Sequence, residues 1–232
     1  MTTTRPGDTP IRFPQSSTVP AEVLAAISAQ CLNVETDAHL ERIAHLSQLI
    51  ARGVARRHQL SDEFVAWVFL FARLHDVGMA GLPEAILRKP SRLTAAERVV
   101  MKTHVGKGLA QIDKLIHELA WADEPAARVM RNIVADHHER GDGTGYPLRK
   151  RMAHIPVEAR IVAVADVFDA MSSTRLYRRV WSEREMVIEF RLLVASGQLD
   201  ADCVAALLGA REECDNILRQ FPDVPGLLLA RP

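Results

Sequence analysis

The chain lacks net charge: 29 Lys and Arg stand against 29 Asp and Glu. A polybasic surface for coating nucleic-acid polymers or an anionic membrane is therefore not expected. It also lacks a long apolar run. The longest, Phe64 to Ala72, falls well short of the ~20 residues that cross a bilayer. No basic-then-apolar leader opens the sequence, so a cytoplasmic location without membrane attachment is expected. Cysteine is scarce, and Cys31, Cys203 and Cys214 show no pair spacing. They read as reduced thiols filling helices, and a disulfide-stapled mini-protein is excluded. Sustained period-two alternation is missing throughout, which argues against strands.

What is present is an ordinary globular composition over 232 residues, 48% hydrophobic and 25% charged, enough for a sizeable core. Residues 1–20 hold four prolines and many Ser and Thr and are expected to form a flexible leader, with a short helix following up to about residue 34. From Ala21 onward apolar residues recur at three- and four-residue spacing, so the chain reads as all-α. Helices are expected near 21–31, 36–57, 61–75, 94–118, 124–138, 156–171, 182–196, 200–208 and 210–220. Their starts have chemical signatures: Thr94 with Glu97 and Ser182 with Glu185 fit the reciprocal capping box, Ser61 precedes Asp62 and Glu63, and Pro156 suits a first turn. The segment Ala21–Leu32 has the pattern of a helix that either pairs in a homodimer or packs on its own domain. Two long loops, Val77–Leu93 and Glu139–Ile155, each follow directly on histidines at helix ends, where ionisable groups and irregular backbone meet.

The histidines carry the chemistry. Glu35 and His39 are four apart and share a helix face. His75-Asp76 closes the apolar stretch Phe64–Leu74, and His137-His138 closes Val129–Ala135. An adjacent ionisable pair beside a core needs something to satisfy it, and a metal does so. Imidazole and carboxylate suit Fe, Mn or Zn, and helical bundles build multi-metal sites from such ligands on different helices. Taken singly each element has a structural reading: Glu35 with His39 as a surface pair, His104 as a satisfied core histidine. Taken together, His75-Asp76, His137-His138-Glu139 and Asp166-Val-Phe-Asp169 form a joint pattern.

On these residues the chain resembles the HD-GYP phosphodiesterases, a branch of the HD-domain metal-dependent phosphohydrolases. The resemblance runs from about 35 to 209. It is carried by Glu35-Thr-Asp-Ala-His39, His75-Asp76-Val-Gly78, Met101-Lys-Thr-His104, His137-His138-Glu139-Arg-Gly-Asp142-Gly143-Thr-Gly145-Tyr146-Pro147, Asp166-Val-Phe-Asp169 and Arg175-Leu-Tyr177. It implies an HD-type helical bundle over 35–209 with additional C-terminal helices, followed by a helix and tail over 210–232. It also implies two or three metal ions, Fe or alternatively Mn, held by His75, Asp76, His104, His137, His138 and Asp166. Asp76 would bridge two of them, and Glu35 and His39 match an extra ligand pair. The implied substrate is cyclic di-GMP or a related cyclic dinucleotide, cut to pGpG or GMP. Two metals can generate a nucleophilic hydroxide at neutral pH and stabilise both the entering and leaving oxygens.

One departure bears on activity. Met79 stands where the family carries a lysine that faces the scissile phosphate and pairs with the second aspartate, here Asp169. Losing such a contact typically costs ~3–4 kcal/mol of transition-state stabilisation. Another cation is then required, with Arg175 first, Arg178 beside it, and Lys107, Arg140 and Arg149-Lys150-Arg151 as further candidates. Gly145, Tyr146 and Pro147 are expected to line the substrate groove, to meet a partner such as a GGDEF cyclase, or simply to brace the loop. The rival to an active phosphodiesterase is a weak or silent cyclic-dinucleotide sensor acting through protein partners.

Overall fold

The structure, a computed structural model, describes residues 19, 22–23, 25–26, 37–89, 91–172 and 181–223. Glu35, Arg175, Arg178 and Cys31 lie outside the described residues. Helices account for the architecture, and among the described residues the only β pairing is an isolated bridge between Asp142 and Arg151. The helices are α1 Asp37–His58, α2 Asp62–Phe71, a short α3 Glu84–Leu87, α4 Ala95–Lys102, α5 His104–Glu118, α6 Pro125–Asp136, α7 Val157–Ser172, α8 Glu183–Ala195, α9 Ala201–Gly209 and α10 Arg211–Gln220.

The starts follow the expected cap chemistry. Ser61 accepts a hydrogen bond from Phe64 N at 3.1 Å, and both capping boxes form, Thr94 with Glu97 and Ser182 with Glu185. Asp200 caps α9 by accepting from Asp202 N and Cys203 N. Two expected helices are interrupted. The 61–75 helix ends at Phe71, passes into a 3-10 turn over Ala72–Leu74, and a second 3-10 turn covers Val77–Gly81. The 94–118 helix breaks at Thr103, so that His104 opens a new helix. Both breaks fall beside expected metal ligands and turn their rings inward.

Helix α1 is central, packing on α2, α7, α9 and α10, while α6 closes against α2, α5 and α7. Their apolar faces merge into one core, from Val23 through Ile43, Phe71, Met130, Val162 and Phe190 to Cys214. Val19 and Val23 are buried in this core, so the N-terminal segment packs on its own domain at those points. Cys203 and Cys214 are buried free thiols there, and burial pushes the Cys214 thiol up to about 12. Asp62–Gly81 has the length and apolarity of a membrane span, yet 72% of it is buried inside the domain. A smaller apolar cluster of Met79, Leu82, Leu93 and Met101 lies under the first loop. The two parts meet through glycine: a Cβ on Gly78 would come within 2.0 Å of His104 O and 2.3 Å of Gly108 N. Only that close approach lets the Asp76 turn sit against the start of α5.

Candidate metal centre

Asp76 ends the apolar α2 region and projects its carboxylate into a ring of imidazoles. Its Oδ1 lies 3.0 Å from His104 Nε2, 3.3 Å from His137 Nε2 and 4.0 Å from His138 Nε2. Its Oδ2 lies 3.4 Å from His75 Nε2. The two oxygens thus face different histidines. Asp76, His104, His137 and His138 offer ligand atoms within 4.8 Å of one another, and so do His39, His75 and Asp166. The groups adjoin, with ring centroids 5.4 Å apart for His39 and His75 and 5.2 Å for His75 and His137. Seven of the eight sequence-expected ligands are thereby brought together; the eighth, Glu35, lies outside the described residues.

Backbone acceptors fix the tautomers. The Nδ1–H of His75 donates to Ala72 O at 2.9 Å, that of His104 to Met101 O at 2.7 Å, and that of His137 to Ile133 O at 3.0 Å. Each ring therefore presents the lone pair of Nε2 toward Asp76. A lone pair facing a carboxylate oxygen is repulsive unless a cation lies between them. His137 Nε2, His138 Nε2 and Asp76 Oδ1 are buried without a hydrogen-bond partner, the condition that a metal ion relieves. Burial, reinforced by His137, holds His138 well below its ordinary pKa, as a neutral ligand. The residues present fit a mixed N/O metal centre.

His39 is positioned from behind. Its Nδ1–H donates to Asp169 Oδ2 at 2.8 Å, and Asp169 also receives Nε and Nη2 of Arg42. Arg42 continues to Phe221 O at 2.9 Å and Asp223 at 2.9 Å. Burial would raise the Asp169 pKa, but His39 and Arg42 together depress it strongly. The geometry follows from two i,i+3 pairs, His39 with Arg42 on α1 and Asp166 with Asp169 on α7, facing one another. The expected partnership of Asp169 with position 79 is thereby replaced by one with His39 and Arg42. Its carboxylate is committed to His39 and Arg42, while Met79 is fully buried in the small apolar cluster. Arg42 closes the Glu35-Thr-Asp-Ala-His39-Leu-Glu-Arg42 stretch that carries the resemblance, but the sequence assigns it no role, although its spacing from His39 mirrors that of Asp169 from Asp166.

The second loop is folded back by Glu139, whose Oε1 accepts from Leu148 N at 2.6 Å and Oε2 from Lys150 N at 2.9 Å. Tyr146 N donates to His138 O at 3.2 Å, and the Tyr146 ring stacks on His138 at 4.7 Å. A Cβ on Gly145 would lie 2.2 Å from Arg140 N, so glycine is required where the loop doubles back. Pro147 and Leu148 are exposed at the tip. Of the five described cations expected near the substrate, three are already engaged: Lys107 donates to Gly81 O, Lys150 to Asp136 and Arg151 to Asp142 O. A third ligand-type group, His58, Asp200 and Asp202, is taken up by arginines, Asp202 by Arg57 and Asp200 by Arg160.

Known proteins agree with this picture. A family profile described as HD domain matches residues 26–202. The chain is 38% identical over 186 residues to the cyclic di-GMP phosphodiesterase response regulator RpfG of Xanthomonas campestris pv. campestris, covering 80% of this chain and 46% of that protein. It is 35% identical over 203 residues to a cyclic di-GMP phosphodiesterase of Thermotoga maritima, covering 87% and 51%. To the 3'3'-cGAMP-specific phosphodiesterase 2 of Vibrio cholerae it is 33% identical over 190 residues, covering 82% and 34%. The chain thus spans a third to a half of the length of these relatives. Bd1817, an HDG"Y"P protein of Bdellovibrio bacteriovorus, has the same fold at a TM-score of 0.54 and 18% identity, covering 83% of this chain and 58% of its own. The chain belongs to the HD domain family, and the His137-His138-Glu139 to Gly145-Tyr146-Pro147 segment places it with the HD-GYP proteins.

Proposed function

We propose that this chain is a metal-dependent phosphodiesterase that hydrolyses a cyclic dinucleotide, cyclic di-GMP or its cyclic GMP-AMP counterpart. The observation that carries the reading is the divided Asp76 carboxylate, Oδ1 toward His104, His137 and His138 and Oδ2 toward His75. This is the arrangement of a carboxylate shared by two cations. One would be held by Asp76, His104, His137 and His138, the other by Asp76, His39, His75 and Asp166. A mixed imidazole and carboxylate set without thiolate suits Fe, or alternatively Mn. Glu35 is the proposed source of a further ligand beside His39. When bound, the metal ions supply Lewis acidity that lowers the pKa of water and offsets phosphate charge.

The residues of the chain do the rest. Backbone carbonyls keep the imidazoles in the ligand tautomer, and Asp169 with Arg42 holds His39 in place. In the reaction the oxygen of water adds to phosphorus, one bond from phosphorus to a ribose oxygen breaks, and a proton passes to the departing oxygen. Gly145, Tyr146 and Pro147 wall the approach to His138, and Arg175 and Arg178 are proposed as phosphate contacts. The exposed Pro147–Leu148 tip is the surface offered to a GGDEF cyclase or other signalling protein, in the cytoplasm where such messengers act.

The test is turnover. Anaerobically prepared protein loaded with Fe(II) or Mn(II) should convert cyclic di-GMP or 3'3'-cGAMP to linear product on chromatography, and Asp76→Asn should abolish it. Fully metallated protein that cleaves neither over hours would refute the reading.

A further inference from the structure

Arg140 is an unusual arginine. It follows the His137-His138 ligand pair by two residues, and its Nη1 is buried without a hydrogen-bond partner. The Tyr146 hydroxyl, across the same fold of the loop, is likewise buried without one. The loop holds Arg140 close enough to Tyr146, and to Asp142 and Asp166, for their charges to interact. Gly143 N donates to Arg140 O at 2.8 Å, the backbone of Arg140 abuts Gly145, and the Tyr146 ring lies on His138. Both orphaned groups can donate. A buried guanidinium nitrogen without an acceptor is costly, and an arriving acceptor relieves that cost. Nearby lysines do not share this state, since Lys107 and Lys150 have acceptors and Lys102 lies over the outer face of the Tyr146 ring at 4.8 Å.

The acceptor that fits is an anionic oxygen. Of the carboxylates that act on Arg140, Asp142 accepts from Thr144 and Asp166 groups with His39 and His75, and a guanidinium and a hydroxyl on one loop match the oxygens of a phosphate. We propose that Arg140 and Tyr146 hold a non-bridging phosphate oxygen of the substrate against the metal centre, Arg140 as the charged contact and Tyr146 as the second donor. This rests on the phosphodiesterase reading for the identity of the phosphate, but not for its being bound. It gives the site a cation at the loop, on the opposite element from position 79.

The experiment uses the full chain loaded with Mn(II) and inorganic phosphate as the probe, with binding followed by calorimetry and metal content by elemental analysis. Arg140→Met should weaken phosphate binding at least about tenfold, the loss expected for one charge-assisted hydrogen bond, while keeping wild-type metal content. Arg140→Lys should restore part of the loss, and Tyr146→Phe should weaken binding by a smaller factor. Wild-type affinity in fully metallated Arg140→Met overturns the proposal. So does a loss of metal in both Arg140 variants, which would make the residue a support for the ligands. If Arg140→Met fails to fold, Arg140→Lys and Tyr146→Phe decide the matter by the same comparison. Arg140-dependent phosphate binding in protein that cleaves no cyclic dinucleotide would uphold the proposal and refute the phosphodiesterase reading.

Discussion

Replacing Asp169 with alanine tests the support behind the metal centre. The carboxylate is buried, accepts from His39 Nδ1 at 2.8 Å and pairs with Arg42 through two donors. Removing one member of such a buried pair typically costs ~3–5 kcal/mol, because the remaining charge is left uncompensated. Arg42 keeps Phe221 O and the partly exposed Asp223, so the lower end, about 3 kcal/mol, applies here. Against a total stability of ~5–15 kcal/mol this is a large loss. Metal affinity should fall as well, by ~10–100-fold, since His39 loses the group that fixes its orientation. The linkage has a definite sign: His39 and Arg42 depress the Asp169 pKa in the fold, so its stabilisation is present above the unfolded carboxylate value of ~3.9 and fades as pH falls below it. Urea denaturation of chelator-treated protein at pH 7 and pH 3 gives the stability difference, and elemental analysis gives the metal. Asp169→Ala within ~0.5 kcal/mol of wild type and with full metal content would refute the reasoning.

Two further substitutions probe the neighbouring elements. Met79→Lys places an amine in the apolar cluster of Leu82, Leu93 and Met101; at pH 7 the penalty is capped at ~4–5 kcal/mol by deprotonation from a free pKa near 10.4, and it should shrink toward pH 9. Unchanged stability with raised turnover would instead mean that position 79 opens on the metal centre. Gly78→Ala puts a Cβ 2.0 Å from His104 O and should cost at least ~1–3 kcal/mol by overpacking while displacing His104; melting together with metal content checks this, and a neutral result on both would show that the turn yields freely.

The fold class and most helices were legible because local chemistry and tertiary structure agree here: capping boxes at Thr94 and Ser182 and apolar spacing on α1, α5 and α6 specify the same elements that packing requires. The interruptions at Ala72 and Thr103 were not legible. They are imposed by the need to turn Asp76 and His104 inward against Gly78 and Gly108, a contact between residues distant in sequence. In the site, the His75-Asp76 and His137-His138 pairs stand out beside apolar runs, while the full candidate ligand set comes from the resemblance to the HD-GYP proteins. Their supporting partners do not stand out, because Arg42 and Glu139 resemble ordinary surface charges until the chain closes Asp169 over one and the loop over the other. The partner of Asp169 is hidden for the same reason, since Arg42 lies 127 residues earlier on α1.

Sharing of Asp76 between two metal ions is directly visible to anomalous diffraction from crystals of Fe- or Mn-loaded protein. Two peaks ~3.5–4 Å apart are expected, one coordinated by Asp76 Oδ1 with His104, His137 and His138, the other by Asp76 Oδ2 with His39, His75 and Asp166. A single ion bound by both Asp76 oxygens, or two ions with Asp76 outside the coordination of either, would contradict it.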